Sequence, residues 1–321
     1  TNPQNIQEKI NWSIMTTSWS QRLMLSMGLF FSLALTACAT YQGKVGQARE
    51  ALVAREYDKA LKDLRPLAMK KDGDQLVYLL DYATVLAISG NFKDSNSTFL
   101  QADKLSDLVD YQSLSRQTGS LLLNQEMVQY KGDTFERIFI NAYLAMNYLE
   151  LGNLDDALVE ARRINEKYNK YRQEEKKFFE MNSFSKYLSA MVWEASRSYD
   201  DAYIAYEEAY KIDPTIGPIG EDLIRSAKLA RRTDTYQKWK KKFPDVVEDK
   251  NWYDKSMGEL VVIYQQGWGP RKQPGGGGSY RLPQLVPVYS NTKIARLNIE
   301  GGNSYGSHLV YDVQTAAIKT L

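Results

Sequence analysis

Small and large apolar residues recur through the middle of this chain in one fixed order. A small residue is followed seven positions on by a turn residue, and two further by an aromatic or aliphatic one. A second small residue comes three later, and two more apolar positions follow at steps of four and three. Ala48, Arg55, Tyr57, Ala60, Leu64 and Leu67 fit this order, as do Ala83, Gly90, Phe92, Ser95, Phe99 and Ala102. A third copy is Ala145, Gly152, Leu154, Ala157, Ala161 and Ile164, and a fourth is Ala190, Arg197, Tyr199, Ala202, Tyr206 and Ala209. Steps of three, four and seven mark one face of a helix, so each copy predicts two helices meeting at the turn residue. Small residues at the crossing let the axes approach closely, and the large residue fills the adjoining hole. Pro214 stops the last second helix. The first copy fits least well, because Arg55 stands where a turn glycine is expected and Pro66 would kink the second helix.

These segments resemble tetratricopeptide (TPR) repeats, most clearly in residues 198–214 (SYDDAYIAYEEAYKIDP). The resemblance implies a mainly α fold, a TPR-like α-solenoid of about four antiparallel helix pairs. Equivalent small residues at 60, 95, 157 and 202 lie 35, 62 and 45 apart. A regular array repeats every ~34 residues, so about 28 are inserted between copies two and three and about 11 between three and four. The first insertion, residues 105–132, predicts one or two extra helices. Asp133-Thr134-Phe135-Glu136 then reads as a capping box opening the next helix. The second, residues 165–182, lengthens the second helix of copy three. Residues 219–243 predict a last helix pair carrying Ala227, Tyr236 and Trp239. Its charged face (Arg225, Lys228, Arg231, Arg232 and Lys240 to Lys242) suits the cap of a solenoid.

Upstream, residues 23–37 (LMLSMGLFFSLALTA) form a run of 15 without a charge, preceded by Arg22. A membrane-spanning helix needs about 20 apolar residues and a signal-peptide core about 7–15, so the length predicts an export signal. The run ends Leu35-Thr36-Ala37-Cys38, which resembles the lipobox of bacterial lipoproteins. The resemblance implies a diacylglyceryl group on the Cys38 sulfur, cleavage before Cys38 and acylation of the new amine with palmitate-type chains. Such chains together hold a protein stably at a membrane. Ala39, at the position where Asp would favour the inner membrane, implies the outer membrane and its periplasmic face. Residues 1–14 precede the first methionine, Met15, and do not look like the start of a signal peptide. The expected organisation is residues 1–37 as upstream segment and signal, 38–246 as the helical repeat domain, and 247–321 as a smaller C-terminal module.

That module has a different texture. Residues 259–264 (ELVVIY) predict a strand, and residues 267–279 are a Gly/Pro-rich loop by composition. Residues 285–289 and 294–299 predict two more strands, the first an edge because of Pro287. Residues 310–321 predict the start of a helix that stops without a cap, so the last element reads as incomplete. The expected C-terminal module is therefore small, α+β or β. From Cys38 onward the chain also resembles a little-characterised family of bacterial TPR outer-membrane lipoproteins. Residues 76–83 (LVYLLDYA), 141–147 (NAYLAMN), 156–163 (DALVEARR) and 258–263 (GELVVI) carry that resemblance. It implies a location and an architecture but brings no activity.

Composition narrows the chemistry. The chain has 321 residues, is 43% apolar and 25% charged, and carries a net charge of +2. A mean hydropathy of −0.48 excludes a multi-span membrane protein, and so small a net charge gives no field that would favour nucleic acid. One Cys and one His exclude a disulfide framework and a zinc site built from those ligands. A catalytic triad would have to use His308, which follows Ser307 in a turn with Gly301, Gly302 and Gly306 and reads as an exposed loop residue. Gly275 to Gly278 lack the following Lys-Ser/Thr of a phosphate loop. Asp155-Asp156 and Asp200-Asp201 sit where acidic residues complement a helix N-terminus. Residues 167–179 mix basic and aromatic side chains, but Glu174, Glu175 and Glu180 balance them. No enzyme activity, cofactor, metal or nucleic-acid partner is expected, and the oligomeric state stays open.

Repeat geometry points instead to binding. The first helix of each TPR pair lines the concave face. Here that places Val45, Arg49 and Leu52; Leu80, Thr84 and Ala87; Ala142, Met146 and Leu149; and Tyr187, Met191 and Glu194 along a groove. Arg49, Leu80, Thr84, Met146, Tyr187, Met191 and Glu194 are the candidate partner-binding residues, and Cys38 is the candidate lipidation site. An apolar groove of this kind calls for an occupant: a partner helix or strand, or the chain's own C-terminal module. The plainer alternative is that the insertions close the groove and these residues are ordinary core. The leading expectation is a lipid-anchored periplasmic scaffold that binds envelope proteins. The alternative is a glycan- or peptide-binding protein using Trp252, Tyr253, Trp268 and Tyr280 of the C-terminal module as stacking residues.

Overall fold

The computed structural model describes residues 41–118, 130–173, 181–269, 271–274, 283–286, 288 and 294–312. The signal segment, Cys38 and Tyr280 lie outside the described residues. The chain divides into two units, one ending at Asp63 and one beginning at Leu64.

The first unit holds α1 (Tyr41–Val53) and the start of α2 (Tyr57–Met69). Val45, Ala48 and Ala51 form the buried stripe of α1. Arg55, the residue that replaces the expected turn glycine, adopts a left-handed backbone with φ of 61°. The Glu56 N–H then reaches back to the Ala51 carbonyl at 2.8 Å, which closes α1 in the manner of a Schellman cap. Pro66 is accommodated inside α2.

In the second unit the helices are α3 (Gln75–Ile88), α4 (Phe92–Thr118), α5 (Thr134–Glu150), α6 (Leu154–Gln173), α7 (Ser183–Ala195), α8 (Tyr199–Ile212), α9 (Ile219–Leu229) and α10 (Thr233–Lys242). Consecutive helices pack on one another from α3 to α10, as stacked helix pairs of the TPR kind. The first helices of successive pairs also touch, α3 on α5 and α5 on α7, and so make one layer. The small positions of the sequence pattern sit at the crossings: Ala83, Ser95, Ala145, Ala157, Ala190 and Ala202 are fully buried.

Each pair turns in the same way. Gly90, Gly152, Arg197 and Arg231 have φ between 57° and 81°. The next residue donates its N–H five residues back: Asn91 to Leu86 at 2.9 Å, Asn153 to Tyr148 at 2.8 Å, Ser198 to Trp193 at 3.0 Å and Arg232 to Ala227 at 2.9 Å. A left-handed residue at this point satisfies carbonyls that the helix end leaves open, and glycine does so without strain.

The insertions resolve into longer helices. α4 runs on unbroken through the first to Thr118, so residues 105–118 are not separate helices; residues 119–129 lie outside the described set. α6 runs into the second insertion as far as Gln173. The expected capping box opens α5, with the Glu136 carboxylate accepting the Asp133 N–H at 2.8 Å. Polar side chains stitch these long helices together. Arg137 donates to Ser106 and Asp107, and Lys167 donates to Asp103 and to the Arg137 carbonyl at 2.9 Å. Asn147 of α5 donates to Ser95 and Asn96 of α4 at 2.8 and 3.0 Å. One expectation for the last pair is corrected: Arg225 is only 8% exposed and does not belong to the solvated cap.

Beyond α10 the chain makes a short 3-10 turn (Lys250–Tyr253) and two separate antiparallel hairpins. β1 (Arg271–Pro274) pairs with β2 (Pro283–Val286), and β3 (Arg296–Asn298) pairs with β4 (Ser304–Gly306). Residues 259–264 form no strand and join neither hairpin, which corrects the strand expected there. Residues 310–312 are not helical, and residues 313–321 lie outside the described set.

Candidate functional site: an inner helix face under a C-terminal strap

The layer made by the first helices carries an aromatic stripe. Phe139, Tyr143 and Met146 follow one another on α5 at helical spacing, and Phe184, Tyr187 and Met191 do so on α7. Phe139 and Phe184 stack with ring centroids 6.2 Å apart. On α9 the corresponding face is polar, with Asp222 and Arg225 one turn apart.

Two stretches of the chain's own C-terminal part lie on this face. In the first, the Glu259 carboxylate is 3.9 Å from the Arg225 guanidinium of α9. Ile263 packs on the buried core. The Tyr143 hydroxyl of α5 donates to Gln265 Oε1 at 2.7 Å, and Gln265 Nε2 approaches Met146 Sδ at 3.8 Å. In the second stretch, the His308 ring covers Gly217, where a Cβ would fall 2.7 Å from Nδ1. Ser183 Oγ of α7 donates to the Val310 carbonyl at 3.4 Å, and the Tyr311 ring meets Phe139 edge-on at 5.8 Å. Both stretches run the same way, from α9 or the turn before it back to α5. Burial holds the Tyr143 hydroxyl up at about 12. At Tyr311 burial, with Asp312 adding, also pushes the hydroxyl up.

Beside the α9 end lies a buried charge cluster. Arg225 forks onto Glu194, with Nε and an Nη each at 2.8 Å from a carboxylate oxygen. The Tyr206 hydroxyl donates to Glu194 at 2.8 Å. Asp222 lies 2.9 Å from the same guanidinium and accepts from the Tyr187 hydroxyl. Burial dominates at Asp222 and pushes its carboxyl up to about 7 against the pull of Arg225 and Tyr187; Glu194 and Glu259 add to the rise. Burial thus favours the protonated form of this aspartate in spite of the guanidinium beside it. The cluster is mostly buried and presents no nucleophile. Lys186 is likewise closed off at 1% exposure, donating to Asn165 and paired with Glu208. Among the described residues, no group of three or more His, Cys, Asp or Glu is placed to hold a metal ion, and no helix is long and apolar enough to cross a membrane.

The expected groove residues meet different fates. Met146, Tyr187, Met191 and Glu194 belong to one helix layer. Met146 faces Gln265, and Met191 is half-buried. Tyr187 is only 7% exposed and Glu194 is held by Arg225, so both serve the interior. Leu80 and Thr84 are half-buried on α3, with the Thr84 hydroxyl bonded back to the Leu80 carbonyl at 2.8 Å. Arg49 belongs to the first unit, where its guanidinium bonds Gln42 and lies 5.6 Å from the centre of the Tyr41 ring. Of the stacking candidates, Tyr253 already carries Lys228 on its ring face at 4.1 Å and donates its hydroxyl to Glu248. Trp252 meets Tyr253 edge-on, and Trp268 is half-buried.

The sequence reading missed Phe139, Tyr143, Asp222, Gln265 and Tyr311 as site residues. A signal existed for some of them. Phe139, Tyr143 and Met146 are spaced to share a face next to Ala142, and Asp222 and Arg225 are one turn apart.

No family model matches the chain, and no curated protein is similar to it in sequence. Solved structures resemble it in backbone. A crystal structure of MamA protein is 13% identical with a TM-score of 0.42, covering 69% of this chain and 96% of that one. A MamA structure labelled AMB-1 is 11% identical with a TM-score of 0.39, covering 63% and 89%. A tetratricopeptide repeat protein from Parabacteroides merdae is 12% identical with a TM-score of 0.41, covering 64% and 67%.

Proposed function

We propose that this chain is a lipid-anchored scaffold of the bacterial outer membrane, facing the periplasm, that binds other envelope proteins. The observation that carries the reading is the inner helix face, which holds two stretches of the chain's own C-terminal part through aromatic and polar side chains of α5, α7 and α9. A face that accommodates its own C-terminal strap is built for protein, not for a small substrate. The recognition surface is then the strap and the face together, with Met146 and Met191 at its floor. For the address, the support is the apolar run before Leu35-Thr36-Ala37-Cys38. The machine it serves is an outer-membrane or peptidoglycan assembly.

Crosslinking of the tagged protein in intact cells tests this, with Cys38→Ala as control. A defined set of envelope proteins, lost with the anchor, is the expected result. Peptidoglycan fragments in their place would move the glycan-binding alternative forward, and nothing specific would sink the scaffold.

A further inference from the structure

Three carboxylates meet one guanidinium where the strap reaches α9. Arg225 lies 2.8 Å from Glu194 of α7, 2.9 Å from Asp222 on its own helix and 3.9 Å from Glu259 of the strap. A guanidinium keeps its charge throughout the ordinary pH range. With every group ionised the cluster would be doubly negative, and the Asp222 side chain is only 7% exposed. Like charges this close resist joint ionisation, and burial raises the cost. Two ways out are open: a proton on the buried aspartate, or departure of the glutamate, which is 63% exposed.

The arrangement decides which carboxylate can leave. Arg225 forks onto Glu194 through two bonds, and both residues are fixed on helices. Asp222 is one turn from Arg225 on α9. Glu259 is the farthest of the three and the one outside a helix. Burial raises the Asp222 carboxyl to about 7 against Arg225 and Tyr187, so the choice falls near neutral pH. Glu259 adds to that rise, and such coupling is reciprocal. A strap that strengthens the hold of Asp222 on its proton is itself held better while the proton is there.

The neighbouring groups leave this choice to Asp222. Tyr187 of α7 donates its hydroxyl to Asp222 and Tyr206 of α8 donates to Glu194, and burial pushes both hydroxyls up. Tyr253 donates to Glu248, which also takes Lys228 and Lys240. At the α5 end Gln265 accepts from Tyr143, whose hydroxyl burial pushes up to about 12. His308, on the second stretch, covers Gly217 in the turn before α9 and needs its own control.

We propose that Asp222, Arg225 and Glu259 form a proton-operated latch: with Asp222 protonated the strap is held on α9, and with Asp222 ionised Glu259 lets go and that end of the inner face is uncovered. The latch is a property of the chain itself, so its failure would leave the scaffold reading as it is.

A nitroxide label at Leu260→Cys, beside Glu259 and 75% exposed, reads the latch by electron paramagnetic resonance. The full chain carries Cys38→Ser for this, since Cys38 is its one cysteine. Circular dichroism at each pH checks that the helices remain. Between pH 5 and pH 8 the mobile fraction of the label is expected to rise several-fold. Asp222→Asn should keep the label slow at both values. Glu259→Gln changes an exposed side chain without endangering the fold and should make the line shape independent of pH. His308→Gln should keep the response. A line shape that does not change with pH in the otherwise unaltered chain would overturn the latch. So would a response that survives in Asp222→Asn or in Glu259→Gln, or one that disappears in His308→Gln.

Discussion

Replacing Asp222 by asparagine isolates the charge cluster at the end of the inner face. Asp222 is buried, and its carboxyl titrates near 7 in the folded chain against 3.8 when free. Between these values the native protein holds a proton that the unfolded chain has released. Its contribution therefore stabilises at low pH and is lost as pH rises through the folded value. The decline is about 1.4 kcal/mol per pH unit, on the order of 4 kcal/mol in all. An asparagine side chain cannot ionise, yet it keeps an oxygen to accept the Tyr187 hydroxyl. Glu160 is also raised by burial, but it does the same in both proteins and cancels on subtraction. Glu248, held down at about 2, acts only as pH falls below the ordinary carboxylate range. Lys167 and Lys186, lowered by burial, act on the alkaline side. Urea unfolding followed by far-ultraviolet circular dichroism at pH 5, 6, 7 and 8 is the assay. Relative to the unaltered chain, Asp222→Asn should gain stability steadily from pH 5 to 7 and then level off. Parallel stability curves for the two proteins would refute the assignment of the proton to Asp222.

Two further outcomes follow from backbone geometry. Arg197 is exposed and left-handed, a conformation that strains any residue with a Cβ. Relief of about 1 kcal/mol of strain, less the extra entropy of glycine when unfolded, leaves Arg197→Gly stabilised by ~0.5 kcal/mol, readable as a small rise in Tm. Gly217→Ala should push the His308 ring away from the turn before α9. Hydrogen exchange is then expected to speed up in residues 307–311 while α5 and α7 stay protected, and unchanged exchange there would argue against the packing of His308.

The repeat was legible because its physics is local. Ala157, Ala161 and Ile164, or Ala202, Tyr206 and Ala209, can be recognised by spacing alone, and all are buried as their spacing requires. Even Arg55 and Arg197, poor residues for the job, stand at turns as the pattern requires, because the helices on either side dictate where the chain must reverse. What stayed hidden depends on distant pairs. Nothing near Gln265 announces that it meets Tyr143, 122 residues away. Arg225 read as a solvated cap residue because a charge is assumed to face water until a partner is known. Its partner Glu194 lies on another helix, 31 residues back. Residues 259–264 carry the residue types of a strand yet join neither hairpin, because pairing needs a partner that no local pattern can supply.

The strap also changes how the helices share load. In a stack whose pairs touch only their neighbours, an end can fray while the rest holds, and unfolding proceeds piece by piece. Here the same short length of chain grips α9 through Glu259 and α5 through Gln265, skipping over the pair between. It acts as a tie between non-neighbouring pairs. Separating α9 from α5 must break one of these contacts, so the strap couples the two helices across the pair that lies between them.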